Sequence, residues 1–363
     1  MLHRRLTRRT VAAAALATSA MGTLAPQLRA QEASPSASPE ASPIVDSPLS
    51  PELPQGGVQA DDSWAFTDDR GVTLTLPETP TKVVAYIGFA AALYDLGFEV
   101  IGYYGNATNE DGSLTDSAGR LPIDRIPSVA TADGESWVDV EKLVELGTEV
   151  FIGPNYGIET EPAIIWPLDA DILAQIGEFA QVIHIAAADG ADVERTIETM
   201  ANLATAFGAD LDTEEITTAK DAFYAAKANL QAAIAAKPNL TTLWMAGSAT
   251  GFWTQGSTND ILFMQKLGVQ FAGNDFGSAE EQSWETFATV WAVDLIFNDV
   301  RSPRWWSVEQ LTEEIPTYKL HPAVAAGQVR GWRNTFTPSY VGFTPIIEDY
   351  TDAFLNADET IVP

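Results

Sequence analysis

The chain contains no cysteine. That excludes disulfides, thiolate metal sites, cysteine nucleophiles and the lipid-modified cysteine of a lipoprotein. Histidine is nearly as scarce, with His3, His184 and His321 the only three in 363 residues. With so few nitrogen ligands and no sulfur, neither a dedicated zinc or manganese cage nor any resident cofactor is expected. His184 lies inside an apolar run and reads as a structural residue. Basic residues are few: 20 Lys and Arg stand against 50 Asp and Glu, a formal charge of −30. Arg4, Arg5, Arg8, Arg9 and Arg29 fall in the first thirty residues, so the rest is more acidic still. Such a surface repels phosphate backbones, which excludes nucleic acid as a partner. Also missing are HExxH, GxSxG, GxxxxGK[ST] and GxGxxG. Carboxylates are abundant, so a pair suited to glycoside chemistry remains open.

What is present begins with a targeting segment. Residues 1–30 have a basic start and a short apolar run, Val11 to Leu16. That run is too short for a comfortable membrane span. Thr7-Arg8-Arg9-Thr10 resembles a twin-arginine export signal, with Ala30 as a plausible cleavage point. An uncleaved segment would act as an anchor. Residues 31–62 are rich in Pro, Ser and Ala and repeat Ala-Ser-Pro. They cannot bury enough apolar surface to fold and read as an extended, disordered tether. The protein is therefore expected to be exported, to a periplasm or the cell surface, without being a lipoprotein.

From Trp64 onward, strand and helix patterns alternate on both sides of one long helical stretch. Glu214 to Lys237 is Ala-rich and free of Gly and Pro until Pro238. Ile216, Ala219, Phe223, Ala226, Leu230 and Ala233 lay one apolar stripe along it. Asp212 and Thr213 offer N-caps, and the Pro238 step stops it. The reading is a strut, 213–238, joining an amino-terminal α/β lobe, 63–212, to a carboxyl-terminal one, 239–363. Helices are also expected over Ser283 to Thr289 and Ile346 to Leu355. Alternating strands and helices imply mostly parallel sheets, with ligands beyond the carboxyl ends of the strands.

The loops at those ends are aromatic. The first lobe offers Tyr86, Tyr103, Tyr104 and Tyr156. The second offers Trp253, Arg301, Arg304, Trp305, Trp306, Arg330, Trp332 and Arg333. Trp and Tyr give wide apolar contact with a polar tip, and Arg supplies fixed donors for carboxylates or oxygen-rich chelates. Four arginines within 301–333 form a local exception in so acidic a chain. Residue by residue, core aromatics and surface ion pairs explain them as well; as a group they point to a cleft.

Taken in order, the motifs resemble the periplasmic substrate-binding proteins of ABC transporters, in the class serving iron–siderophore complexes and cobalamin. TDDRGVTLTLPETPTKVVAY is similar to that family's opening hairpin and first strand, and AALYDLGFEVIGYYG to the next helix and strand. VDVEKLVELGTEVFIG, SWETFATVWAVDLIFND and LHPAVAAGQVRGW resemble later units. The resemblance implies a shallow cleft between two lobes, little hinge motion and no enzymatic activity. It implies a ferric siderophore as the favoured ligand, with cobalamin, haem or a smaller oxyanion fitting the same scaffold. It further implies a monomeric receptor docking on an ABC permease through Glu141 and Glu285, one on an exposed helix of each lobe. Either glutamate is also what a helix dipole favours in a first turn. Lys82 departs from the family's usual arginine, and Asn106 to Pro127 reads as an insertion near the cleft mouth. A secreted hydrolase with paired carboxylates and a tethered ligand-sensing domain without a transporter stay open as alternatives.

Overall fold

Three separate sheets organise the described residues. The computed structural model describes residues 49, 52–131, 137–157, 164–188, 190–254, 256, 258–272, 281–301 and 304–362. The expected export signal lies outside them, as does most of the tether. A small antiparallel meander comes first: β1 (Gln55–Val58), β2 (Trp64–Thr67) and β3 (Thr73–Leu76). β1 lies within the stretch read as a tether, and this corrects that reading at its end. Gly56 lets the two backbones meet, because a Cβ there would fall 2.1 Å from the Ala65 carbonyl oxygen. Asn202 and Arg195 then hold the approach to β1 through the Pro54 and Glu52 carbonyls.

The amino-terminal lobe is built on β4 (Val83–Tyr86), α1 (Ile87–Asp95), β5 (Gly102–Tyr104), α2 (Val140–Leu146), β6 (Val150–Asn155), α3 (Ala170–Gly177), β7 (Gln181–Ala186) and α4 (Val193–Ala206). Its strands are all parallel, in the order β5-β4-β6-β7. Next comes the long helix, α5 (Glu214–Ala235), unbroken over 22 residues and so about 33 Å long. Thr213 caps it by accepting from the Ile216 N–H, and Glu214 and Glu215 suit its positive end. Ile216, Phe223, Ala226, Leu230, Ala233 and Ile234 are its buried side.

The second lobe contains β8 (Thr241–Gly247), β9 (Phe252–Thr254), α6 (Asn259–Lys266), β10 (Gln270–Phe271), β11 (Leu295–Asp299), α7 (Val308–Glu314), α8 (Pro322–Ala325), β12 (Val329–Trp332) and α9 (Tyr340–Asn356). The order is β10-β8-β11-β12, parallel, with β9 antiparallel on β8. Residues 284–291 form successive turns rather than the expected helix. α9 starts six residues before the expectation and runs through Pro345. Ser339 caps it, and Pro345, the sixth residue of the helix, removes the one backbone bond that would have reached the Val341 carbonyl without ending the helix.

Strand alternation divides the core. Val83, Ala85 and Ile152 face one cluster, which continues through Phe223 and Leu230 of α5 to Trp244, Phe297 and Phe343. Val84, Tyr104 and Phe151 face a cluster of the first lobe alone, and Leu243, Met245 and Ile296 one of the second. The lobes thus share one apolar core around α5, with α9 packed along it; Phe223 meets Tyr340 at 5.6 Å between ring centres.

Polar ties cross the same seam. The Asn106–Pro127 segment, expected near the cleft mouth, instead reaches residues 333–339 of the second lobe and the start of α5. Arg333 holds both carboxylate oxygens of Asp116 at 2.8 Å. Thr337 donates its hydroxyl toward the carbonyls of Asp116 and Ser117, at 3.0 and 3.1 Å. Gly119, at φ +49°, leaves room for that hydroxyl, which would sit 2.5 Å from a Cβ. Asp95 accepts from Ser339 at 2.5 Å and from Arg120 at 2.9 Å, and Arg120 continues to Glu215.

Candidate functional site

Both parallel sheets carry aromatic residues at or just after the carboxyl ends of their strands, joined in the second lobe by charged ones. In the first lobe β4 runs straight into α1, with Tyr86 as the N-cap, so no loop separates strand from helix. Its ring is half-buried and lies 5.5 Å from Tyr104, 6.0 Å from Phe89 and 6.3 Å from Trp166. Trp166 also meets Tyr156 at 6.2 Å and Trp137 at 5.9 Å. Tyr156 and Trp166 are 47% and 39% exposed, so this wall is open to solvent. Trp137 and Trp166 escaped the sequence reading. The available signal was their position after β5 and β6, in the same class of loop as Tyr156.

Tyr104 is fully buried behind this wall, beside Gly153, where a Cβ would fall 2.3 Å from its hydroxyl. Tyr103 points to the opposite side, into the shared core. Both support the wall rather than face a guest. Asn155 is buried too, bonded to His184 Nδ1 at 3.2 Å and accepting from Gly157 N–H. His184 is pushed down to about 3 by burial and then by the Arg70 charge. His321 accepts the Ala323 N–H on Nδ1, which leaves Nε2–H to donate to the Trp291 carbonyl. Both histidines serve the fold. Among the described residues no group of three or more His, Asp and Glu stands ready for a metal ion.

The second lobe's wall comes from β9 and the loop after β11. Trp253 and Trp305 lie 5.2 Å apart, both half-buried, and the Arg304 guanidinium sits 5.4 Å from the Trp305 ring. Trp305 Nε1 is buried with no acceptor among the described residues. Arg301 is folded onto Asp299, the last residue of β11. Its charge reaches the other lobe. Burial raises the Tyr86 phenol, as does Tyr156, while Arg301 pulls it down. The protein around Tyr156 raises its phenol as well, with Arg301 and Arg304 opposing and Asp260 adding. From the second lobe, Arg301 thus acts on both phenols and Arg304 on Tyr156.

Over 82% of its length the chain is similar to DesE, a ferric-siderophore receptor protein from Streptomyces coelicolor, at 32% identity, covering 99% of that chain with a TM-score of 0.72. This chain belongs to the siderophore class of ABC-importer substrate-binding proteins. The receptor fold also matches the petrobactin-binding protein YclQ of Bacillus subtilis, at 17% identity and TM-score 0.56, covering 84% of this chain and 99% of that one. Staphylococcus aureus SirA, solved with staphyloferrin B, matches at 15% and 0.56, covering 81% and 99%. At these identities the last two likenesses bear on the fold alone. Neither a family model nor a curated protein sequence matches.

The remaining candidates of the receptor fall away from the two walls. Trp332 is fully buried, its Nε1 donating to buried Asp260 at 2.6 Å. It is a core residue, a correction with a simple cause: it closes the carboxyl end of β12 facing inward. Arg330 turns back to the carbonyls of Gly327 and Val329, before and within its strand. Arg333 is engaged with Asp116 and Asp349 at the seam. Trp306 packs on the second lobe's own cluster, and its backbone N–H donates to the Gly247 carbonyl. Glu141 is exposed in the first turn of α2. Glu285 is exposed too, but in the 284–291 turns and not on a helix.

Proposed function

We propose that this receptor captures a ferric siderophore between Tyr86, Tyr156, Trp166 and Trp137 on one side and Trp253, Trp305, Arg301 and Arg304 on the other, and delivers it to an ABC permease. What supports this reading is the gathering of aromatic side chains after the strands of both lobes, Trp166 among Tyr86, Tyr156 and Trp137 in one and Trp305 between Trp253 and Arg304 in the other. Aromatic faces offer apolar contact to a chelator's skeleton, while guanidinium and phenol groups donate to its oxygens. Iron is cargo, enclosed by its chelator, so the protein needs no ligand set of its own. The protein binds rather than turns over its guest. Delivery uses Glu141 and Glu285 as carboxylate contacts for permease arginines. Among the described residues no helix is long and apolar enough to cross a membrane. The twin-arginine-like leader and the tether would place the receptor outside the cytoplasm, unlipidated, as a monomer.

Quenching of intrinsic tryptophan fluorescence by ferric siderophores tests this reading. Saturable binding at micromolar concentration or tighter is expected, weakened at least about tenfold in Trp305→Ala, the loss of one aromatic anchor. A Trp305→Ala variant with native affinity would move the site elsewhere.

A further inference from the structure

We propose that Asp299 sets the charge the cleft selects. It offsets the Arg301 charge and leaves Arg304 as the cation without a carboxylate partner among the described cleft residues, so the site prefers a ferric chelate of little net charge, such as a tris-hydroxamate, over a multiply anionic one such as a tris-catecholate. The inference rests on the receptor reading above and adds a specificity determinant to it.

The pair is built by the end of one strand. β11 lies inside its sheet, between β8 and β12, and its last residue is Asp299. The Asp299 side chain is wholly buried. It accepts the Arg301 backbone N–H at 2.9 Å, Nε on both oxygens at 3.0 Å and a terminal nitrogen at 2.5 Å. A guanidinium held so closely by a carboxylate offers donors, yet its field is that of a dipole and falls off faster than that of a lone charge.

Among the described residues, the other charged groups acting on the Tyr156 phenol are Asp260 and Arg304. Arg304 is exposed, rests on the Trp305 ring and has no carboxylate partner among the described residues. Asp260 is buried beneath the wall, bonded to Trp332, and burial favours its neutral form. Tyr86, Tyr156, Trp166, Trp253 and Trp305 bring no charge. A multiply charged anion entering here would lose hydration against a single free cation among the described residues, which is a poor exchange. A chelate whose hydroxamates already balance the ferric ion loses far less and keeps its oxygens for Arg301 and Arg304.

Fluorescence titration of the purified protein with a ferric tris-hydroxamate and a ferric tris-catecholate, at low and high salt, tests the proposal. The hydroxamate should bind at least about tenfold tighter, with little salt dependence. Asp299→Asn should unmask Arg301 and shift the preference toward the catecholate by about tenfold, with a marked salt dependence. Asp299→Asn combined with Arg301→Gln restores the original charge and should return the preference to that of the parent. It also serves where the single variant fails to fold. A parent protein that prefers the catecholate would overturn the charge proposal and leave the receptor reading standing. An unshifted preference in folded Asp299→Asn would overturn the role of Asp299. Binding of no chelate of either charge would overturn the receptor reading itself.

Discussion

Replacing Trp332 by alanine separates core from cleft. The indole is fully buried, edge-on to Trp244 at 5.9 Å, and donates to Asp260 at 2.6 Å. Truncating a buried aromatic costs about 3–5 kcal/mol through lost transfer energy and the cavity left behind. The Asp260 carboxyl, with its other oxygen already unpartnered, loses its Trp332 donor, at about 1–3 kcal/mol more. A total of about 4–8 kcal/mol is comparable to the whole stability of a typical domain, about 5–15 kcal/mol. Urea unfolding followed by far-ultraviolet circular dichroism is the assay. With a slope of about 3 kcal/mol per molar, the midpoint should fall by at least about 1 M. Trp332→Phe keeps most of the ring, loses the N–H and should fall between parent and alanine variant. A Trp332→Ala protein with the parent's midpoint would refute the assignment of this residue to the core.

Other perturbations probe separate parts of the molecule. Glu141→Ala with Glu285→Ala should leave ligand affinity unchanged and lower uptake severalfold in a transport assay; normal uptake by the double variant counts against their docking role. Arg333→Ala removes a half-exposed ion pair and should cost about 1 kcal/mol or less, yet speed hydrogen exchange in residues 114–119 and 333–339; unchanged exchange would mean the seam does not depend on it. Acid should weaken the fold through His184. Its folded form resists protonation until about 3, whereas the unfolded chain takes the proton near 6.5. Stability from this residue is therefore complete above 6.5 and is lost as pH falls toward 3, by at most about 1.4 kcal/mol per pH unit. Asp69, Asp95 and Asp260, raised mainly by burial, act in the opposite sense. Comparing stability against pH for the parent and His184→Gln isolates the histidine; parallel curves would sink the argument.

Much of the architecture was legible because it depends on local pattern. The α5 stripe, the Thr213 cap and the apolar runs of β4, β8 and β11 are each readable within a few residues. The candidate site was legible only by loop. Tyr86, Tyr156, Trp253, Arg301, Arg304 and Trp305 share the electrostatic and aromatic setting of the two walls. Trp332 and Arg333 stand next to each other in the same stretch, yet one is sealed in the core and the other pinned at the seam. No local pattern separates them, since their partners Asp260 and Asp116 are far away in sequence. The 284–291 segment reads as helical by composition, but Trp284 and Phe287 instead pack on Tyr318 from a run of turns. β1 was hidden because a glycine-rich strand carries no apolar alternation and gains its order from β2 and α4.

Because α9 lies lengthwise on α5 and completes the core shared by both lobes, a chain that ends before residue 340 would leave the apolar side of α5 partly uncovered. Residues 340–356 must emerge before the earlier lobe finds its last apolar partners.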